Sequence, residues 1–156
     1  MTTPSDREVV ITRTFDAPRR LVWEAWTRPE LVAKWLHGWD DWRLEVREMD
    51  VRPGGALRWI WHGPKGEQMG LRGVYREVVP AERLVHTEIF DEDWTGGETL
   101  VTLLLTEEAG RTTATMTILY SSREARDAAI QTGMADGMEV GYQRLDRLLA
   151  SIDGEA

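Results

Sequence analysis

The sequence predicts an α+β fold made of one strand, two short helices, about six further strands and one long closing helix. Three observations predict it. Residues 42–120 alternate apolar and polar side chains in short runs separated by turns, the pattern of an antiparallel meander. Two short segments near the start repeat apolar residues at three- and four-residue spacing. The chain beyond Ser121 does the same over a much longer stretch.

Residues 8–15, Glu-Val-Val-Ile-Thr-Arg-Thr-Phe, are rich in β-branched side chains and form the first expected strand. Asp16-Ala-Pro18 then opens a helix, with Asp16 as its expected cap and Pro18 near the first turn, where a missing N–H does little harm. Leu21, Val22, Ala25 and Trp26 give that helix its apolar face. It stops before Pro29, and Pro29-Glu30 begins a second short helix reaching about Leu36.

Strands are expected at 43–51, 56–62, 69–79, 83–91, 98–106 and 112–120. The intervening turns contain Pro53-Gly54-Gly55, Gly63-Pro64-Lys65-Gly66, Pro80-Ala81-Glu82, Trp94-Thr95-Gly96-Gly97 and Ala109-Gly110. In the last strand Ala114, Met116, Ile118 and Tyr120 should face inward and the intervening threonines mostly water. Strand 83–91 has two orientations open to it. Val85, Thr87 and Ile89 make the more apolar face, so the expectation is that they point inward and leave His86 and Glu88 outside. The opposite orientation would make His86 and Glu88 a buried acid–base pair.

Ser121 or Ser122 caps the final helix, which should run to about Ser151. Its inward stripe includes Ala129, Ile130, Met134, Met138, Leu145, Leu148, Leu149 and Ile152. Gly133, Gly137 and Gly141 recur every fourth residue and fall on nearly one helical face. Each glycine costs about 1 kcal/mol relative to alanine within a helix. Such a face suits close packing onto a sheet or a helix that roofs a cavity, and both readings stay open. Met134, Met138 and Tyr142 beside it form an adaptable apolar stripe.

At 156 residues the chain is expected to be a single domain that buries a core without staples. Its 27 acidic and 19 basic side chains leave a formal charge of −8, and no basic run offsets it, which argues against nucleic-acid binding. The absence of cysteine excludes disulfides, thiolate metal sites and cysteine nucleophiles. No signal-peptide or membrane-spanning stretch is evident, so a cytoplasmic protein is expected. The eight tryptophans, Trp23, Trp26, Trp35, Trp39, Trp42, Trp59, Trp61 and Trp94, exceed what core packing alone requires and suit a ligand pocket.

The segments Phe15-Asp-Ala-Pro18, Val22-Trp-Glu-Ala-Trp-Thr27, Pro29-Glu30, Lys34-Trp35 and Asp50-Val-Arg-Pro-Gly-Gly55 recur in a familiar order. They are followed by Gly73-Val-Tyr-Arg-Glu-Val-Val-Pro80, Glu82-Arg-Leu84, Gly133-Met134 with Gly137, and Leu145-Asp-Arg-Leu148. Together they resemble the START-like (SRPBCC) superfamily, and more narrowly the family named for the C-terminal domain of the activator of the heat-shock-protein-90 ATPase. The resemblance implies a helix-grip fold, in which a curved antiparallel sheet wraps a long C-terminal helix with an apolar cavity between them. Relatives bind lipids, polyketides or other hydrophobic molecules, and a few are cyclases or chaperone partners. Where many relatives carry Trp-Trp/Phe-Gly-Pro, this chain has Trp35-Leu-His-Gly-Trp-Asp-Asp-Trp42. The resemblance places that loop at the cavity mouth, so a relative's ligand does not carry over.

These readings converge on binding of a small hydrophobic or aromatic molecule, with no cofactor and no metal. Trp59, Trp61, Met69, Tyr75, Phe90, Met116, Ile118 and Tyr120 are the expected sheet lining. Met134, Gly137 and Met138 form the expected roof, with His37 and Trp39 at the mouth. His37, Arg72 and Tyr75 are candidate polar anchors. The three histidines His37, His62 and His86 lack metal-ligand spacing, and Asp40 and Asp41 beside His37 read as a solvated loop. Neither a Gly-x-Ser-x-Gly elbow nor a Walker pattern occurs. Two rivals remain: a cyclase- or hydrolase-type enzyme using His37, His86, Glu88 and Tyr75, and a modulator of a chaperone ATPase. The chain is expected to be a monomer or a homodimer.

Overall fold

A computed structural model describes residues 1–92 and 97–154; Trp94 and most of its expected turn lie outside the described residues. The element order is β1 (Glu8–Phe15), α1 (Arg19–Thr27), α2 (Pro29–Trp35), β2 (Arg43–Met49), β3 (Ala56–His62) and β4 (Gln68–Val79). It continues with β5 (Arg83–Phe90), β6 (Thr99–Glu108), β7 (Arg111–Leu119), α3 (Arg123–Gln131) and α4 (Met134–Gly154). The strands form one seven-stranded antiparallel sheet in the order β1-β7-β6-β5-β4-β3-β2. β2 to β7 are a meander, whereas β1 pairs with β7 from Glu8 opposite Leu119 to Phe15 opposite Thr112. Helices α1 and α2 therefore carry the chain from one edge of the sheet to the other. This is the α+β helix-grip architecture, with the helices on the concave face.

Local chemistry explains the hairpins. At the β2–β3 turn Gly54 adopts φ +85° and donates to the Tyr75 carbonyl at 2.8 Å. A Cβ on Gly55 would collide with the Asp50 carbonyl, and Arg52 donates to the Asp50 carboxylate at 2.7 Å. The Asp50–Gly55 segment is thus built for turning, as expected.

Two helix ends differ from expectation. Asp16 does not cap α1: Pro18 occupies the N-cap position without a side-chain bond, and the Asp16 carboxylate is 93% exposed with Arg111 4.0 Å away. The closing helix is also two helices. Ser122 caps α3 by accepting from Ala125 N at 3.0 Å, and the helix ends at Gln131, with Thr132 as its C-cap, because Gly133 turns left-handed at φ +78°. α4 starts at the next residue, so Gly133 lies in an elbow and, of the three evenly spaced glycines, Gly137 and Gly141 share the α4 surface.

The solid part of the core lies where α1, α2 and the second half of α4 meet the sheet. Phe15, Trp26, Trp35 and Tyr142 pack there, with Trp26 and Trp35 centroids 4.8 Å apart and Phe15 and Tyr142 5.5 Å apart. Trp35 Nε1 donates to the Ala25 carbonyl at 2.9 Å, which locks α2 onto α1. Arg13 of β1 reaches Glu139 at 3.0 Å and Asp146 at 2.7 Å, tying the sheet edge to two turns of α4. A second cluster of Val9, Tyr120, Ala125 and Ala129 seats α3. Among the described residues no helix is long and apolar enough to cross a membrane.

Candidate functional site

Register brings the inward-facing large side chains of the middle strands into one field. Trp59 and Trp61 of β3 stand opposite Leu71 and Met69 of β4, and Leu71 stands opposite Phe90 of β5. On the other side, Met116 and Ile118 of β7 pair with Leu103 and Val101 of β6, and Val101 pairs with His86. Tyr120 lies just past the end of β7. Over this field arch Met134, Gly137 and Met138 of α4, and the loop of residues 36–42 closes one side with His37, Trp39 and Trp42. Between them lies a cleft of about 700 Å³ whose walls are mainly apolar.

The two α4 glycines meet different surroundings. A Cβ at Gly137 would find no atom within 4 Å, whereas one at Gly141 would lie 3.6 Å from the Trp35 carbonyl oxygen. Gly137 therefore overlies the hollow and Gly141 abuts the core. The structure thus brings His37, Trp39, Trp59, Trp61, Met69, Phe90, Met116, Ile118, Tyr120, Met134, Gly137 and Met138 to the cleft.

Tyr75 is not among the residues lining it. It is 1% exposed and sits in the core behind the wall, its ring 5.8 Å from that of His86. Burial, followed by the negative charge of Glu88, holds its phenol well above the usual tyrosine range. Arg72 is no anchor either, since it lies exposed and pairs with Asp91 at 3.3 Å. His37 does reach the mouth, where its Nδ1 lies 3.3 Å from the Trp39 carbonyl.

The orientation of β5 is the main correction. His86 is 7% exposed, and both it and Glu88 face the cleft, with His86 Nε2 2.8 Å from Glu88 Oε2. The polarity pattern misleads because the opposite side is covered as well: Val85 and Thr87 are also buried. Thr87 Oγ1 accepts from Val74 N at 3.0 Å, near a register shift in β4 between Tyr75 and Glu77. A buried threonine with a backbone partner can therefore take the side that hydrophobicity alone reserves for the core.

Glu88 gives the cleft wall its electrostatic character. The Tyr120 phenol, whose O–H donates to Met134 Sδ at 3.5 Å, is pushed up to about 12 by burial first and by the Glu88 charge second. Thr99, opposite Glu88 in register, donates to the Glu88 carbonyl at 3.4 Å. His86 Nδ1 and Trp59 Nε1 are buried without a hydrogen-bond partner among the described residues. The mouth has its own pair, Arg144 of α4 donating to Asp40 at 2.6 Å. The Arg144 side chain is only 9% exposed although Asp40 is almost fully solvated, so the guanidinium stem packs under the loop. Arg144 was missed at the level of sequence, but its spacing of three residues from Gly141 and seven from Gly137 puts it on the glycine face. Asp40 is held below the usual carboxylate range, chiefly by this hydrogen bond.

The family model described as Activator of Hsp90 ATPase homolog 1-like protein matches residues 16–150. Among solved structures, the chain is similar to a protein from Rhodobacter sphaeroides at 37% identity and TM-score 0.90, covering 96% of this chain and 97% of that one. It is also similar to a Chromobacterium violaceum protein at 25% identity and TM-score 0.82, covering 93% and 98% of the two chains. A Staphylococcus epidermidis protein shows 25% identity and TM-score 0.84 over 96% of this chain and 93% of its own. No match is found among curated proteins.

Proposed function

Because the chain belongs to the Activator of Hsp90 ATPase homolog 1-like family, we propose that it acts as one START-like domain binding a small hydrophobic or aromatic molecule in the cleft beneath the α3–α4 elbow. The observation that supports this reading is the cleft itself, about 700 Å³ with aromatic walls and a glycine at its roof. That volume falls within the roughly 300–1,000 Å³ typical of small-molecule sites. Trp59, Trp61, Met69, Phe90, Met116, Ile118 and Tyr120 serve as the wall, with Met134, Gly137 and Met138 as the roof and His37 and Trp39 at the mouth. Apolar burial supplies most of the affinity, at about 25 cal/mol per Å² before the costs of association. Native mass spectrometry of freshly purified protein, combined with titration of the uncharged dye N-phenyl-1-naphthylamine, tests it. A co-purified small molecule or saturable dye uptake is expected; neither a ligand nor uptake would end the reading.

The hydrogen-bonded His86–Glu88 pair favours a second reading, acid–base chemistry on the bound molecule. An imidazole beside a carboxylate in an apolar wall can move a proton in a cyclisation or hydrolysis. Its signature would be a ligand recovered from the protein in altered form, with His86→Gln stopping the conversion while binding persists. A chaperone role is suggested by the family description alone.

A further inference from the structure

The charges around the cleft are not evenly matched. At the mouth Asp40 and Arg144 neutralise one another at 2.6 Å. On the wall Glu88 has only an imidazole beside it, and no lysine or arginine pairs with it among the described residues. Its Oε2 accepts from His86, and no described residue bonds its other oxygen, although the side chain is 23% exposed and lines the cleft. The charge is felt across the site, since it contributes to raising both Tyr75 and Tyr120. The surrounding rings reinforce it. Trp61 stands 6.2 Å from Trp59 and 6.5 Å from Phe90, the residue two positions beyond Glu88 on the same strand face. Aromatic faces are electron-rich and attract cations, more strongly where water is excluded. Among the described residues no lysine or arginine meets this carboxylate in its aromatic wall, which leaves room for a cation from outside.

Resting on the ligand-binding reading above, we infer that the cleft selects molecules with an apolar body and an ammonium head, and that Glu88 receives the head. An amine engages Glu88 through a charge-assisted bond and the rings through cation–π contact. An alcohol of the same shape offers only a neutral donor, and a carboxylic acid brings a like charge.

Three probes of one shape separate these cases: 2-naphthylmethylamine, 2-naphthylmethanol and 2-naphthoic acid, titrated calorimetrically into the protein near neutral pH. The amine should bind at least about tenfold tighter than the alcohol, with the acid weakest. Glu88→Gln should erase the amine's advantage over the alcohol. Equal binding of amine and alcohol, or preference for the acid, overturns the ammonium assignment and leaves the hydrophobic cleft standing. Failure of all three to bind removes the cleft reading and this one with it. An amine advantage that persists in folded Glu88→Gln overturns the role of Glu88. Should that variant not fold, the wild-type ranking still decides the ligand class, and the carboxyl carbon resonance of Glu88 decides the residue. It should shift with the amine and stay still with the alcohol; a resonance unmoved by saturating amine overturns the assignment.

Discussion

From Tyr142 to Leu149, α4 rests on Phe15, Trp26 and Trp35, with Tyr142, Leu145 and Leu149 almost fully buried. From Met134 to Met138 the same helix spans the cleft. Both halves belong to one apolar stripe. They differ in what stands opposite: rings of α1 and α2 in one case, a sheet surface held at a distance in the other. The hollow persists because both of its sides are braced. Arg13 clamps Glu139 and Asp146 across the junction of the two halves, and the Val9–Tyr120–Ala125–Ala129 cluster fixes α3 beyond the elbow. Close packing at the abutments lets the middle stay open without collapsing.

The sharpest way to break this contrast is truncation on either side of it. Leu145→Ala should cost about 2–5 kcal/mol, because the residue is 0% exposed and its neighbours cannot follow it. Met138→Ala, over the cleft, should cost under about 1 kcal/mol. Urea denaturation measures both, and equal losses would erase the distinction between the halves.

The glycines give the next largest effect. Gly137→Leu places a side chain where nothing stands within 4 Å of its Cβ. Ligand or dye affinity should fall at least about tenfold while the melting temperature holds or rises, since a helical glycine is being replaced. Gly141→Leu meets Trp35 and should instead destabilise by roughly 1–3 kcal/mol. Unchanged dye affinity in Gly137→Leu would show that the roof does not bound the site.

Acid should loosen the brace before the core. Glu139 is held below the usual carboxylate range, chiefly by the Arg13 hydrogen bond and against the effect of burial. A depressed carboxylate contributes stability that is present above its unfolded value of about 4.3 and is lost as pH falls through its lower folded value. Arg13→Gln should therefore lower the melting temperature at neutral pH and flatten its decline below about pH 4. Parallel melting curves for wild type and variant across that range would refute the contribution.

The smallest effect belongs to the mouth. Asp40 is exposed, so Asp40→Asn should leave the melting temperature nearly unchanged. Amide exchange in residues 36–42 should nonetheless quicken, and unaltered protection there would mean that the Asp40–Arg144 contact does not restrain the loop.

The meander was legible because hairpin chemistry is local: Gly54 and the Asp50–Arg52 contact act within a few residues of one another. Trp59 and Trp61 were legible as cleft residues because strand alternation places them on one face. β5 was misread because its polarity pattern was taken to decide the face. The bond from Val74 N to Thr87, a contact between distant positions beside the β4 irregularity, lets a threonine occupy the covered opposite side. Tyr75 was likewise placed one layer too far forward, and Arg72 was claimed for the site although Asp91 holds it elsewhere. The elbow escaped notice because a glycine inside a helix and a glycine ending one look alike in a string of letters. Only the φ of +78° at Gly133 separates them.

The pairing of β1 with β7 has a consequence for how the molecule comes into being. Strand β1 leaves the ribosome well before its neighbour and can pair only when residues 111–119 have also emerged, because Glu8 waits for Leu119 and Phe15 for Thr112. Until then Val9 and Phe15 travel unsheltered, and completion of the fold is a late, long-range event that sets its own pace.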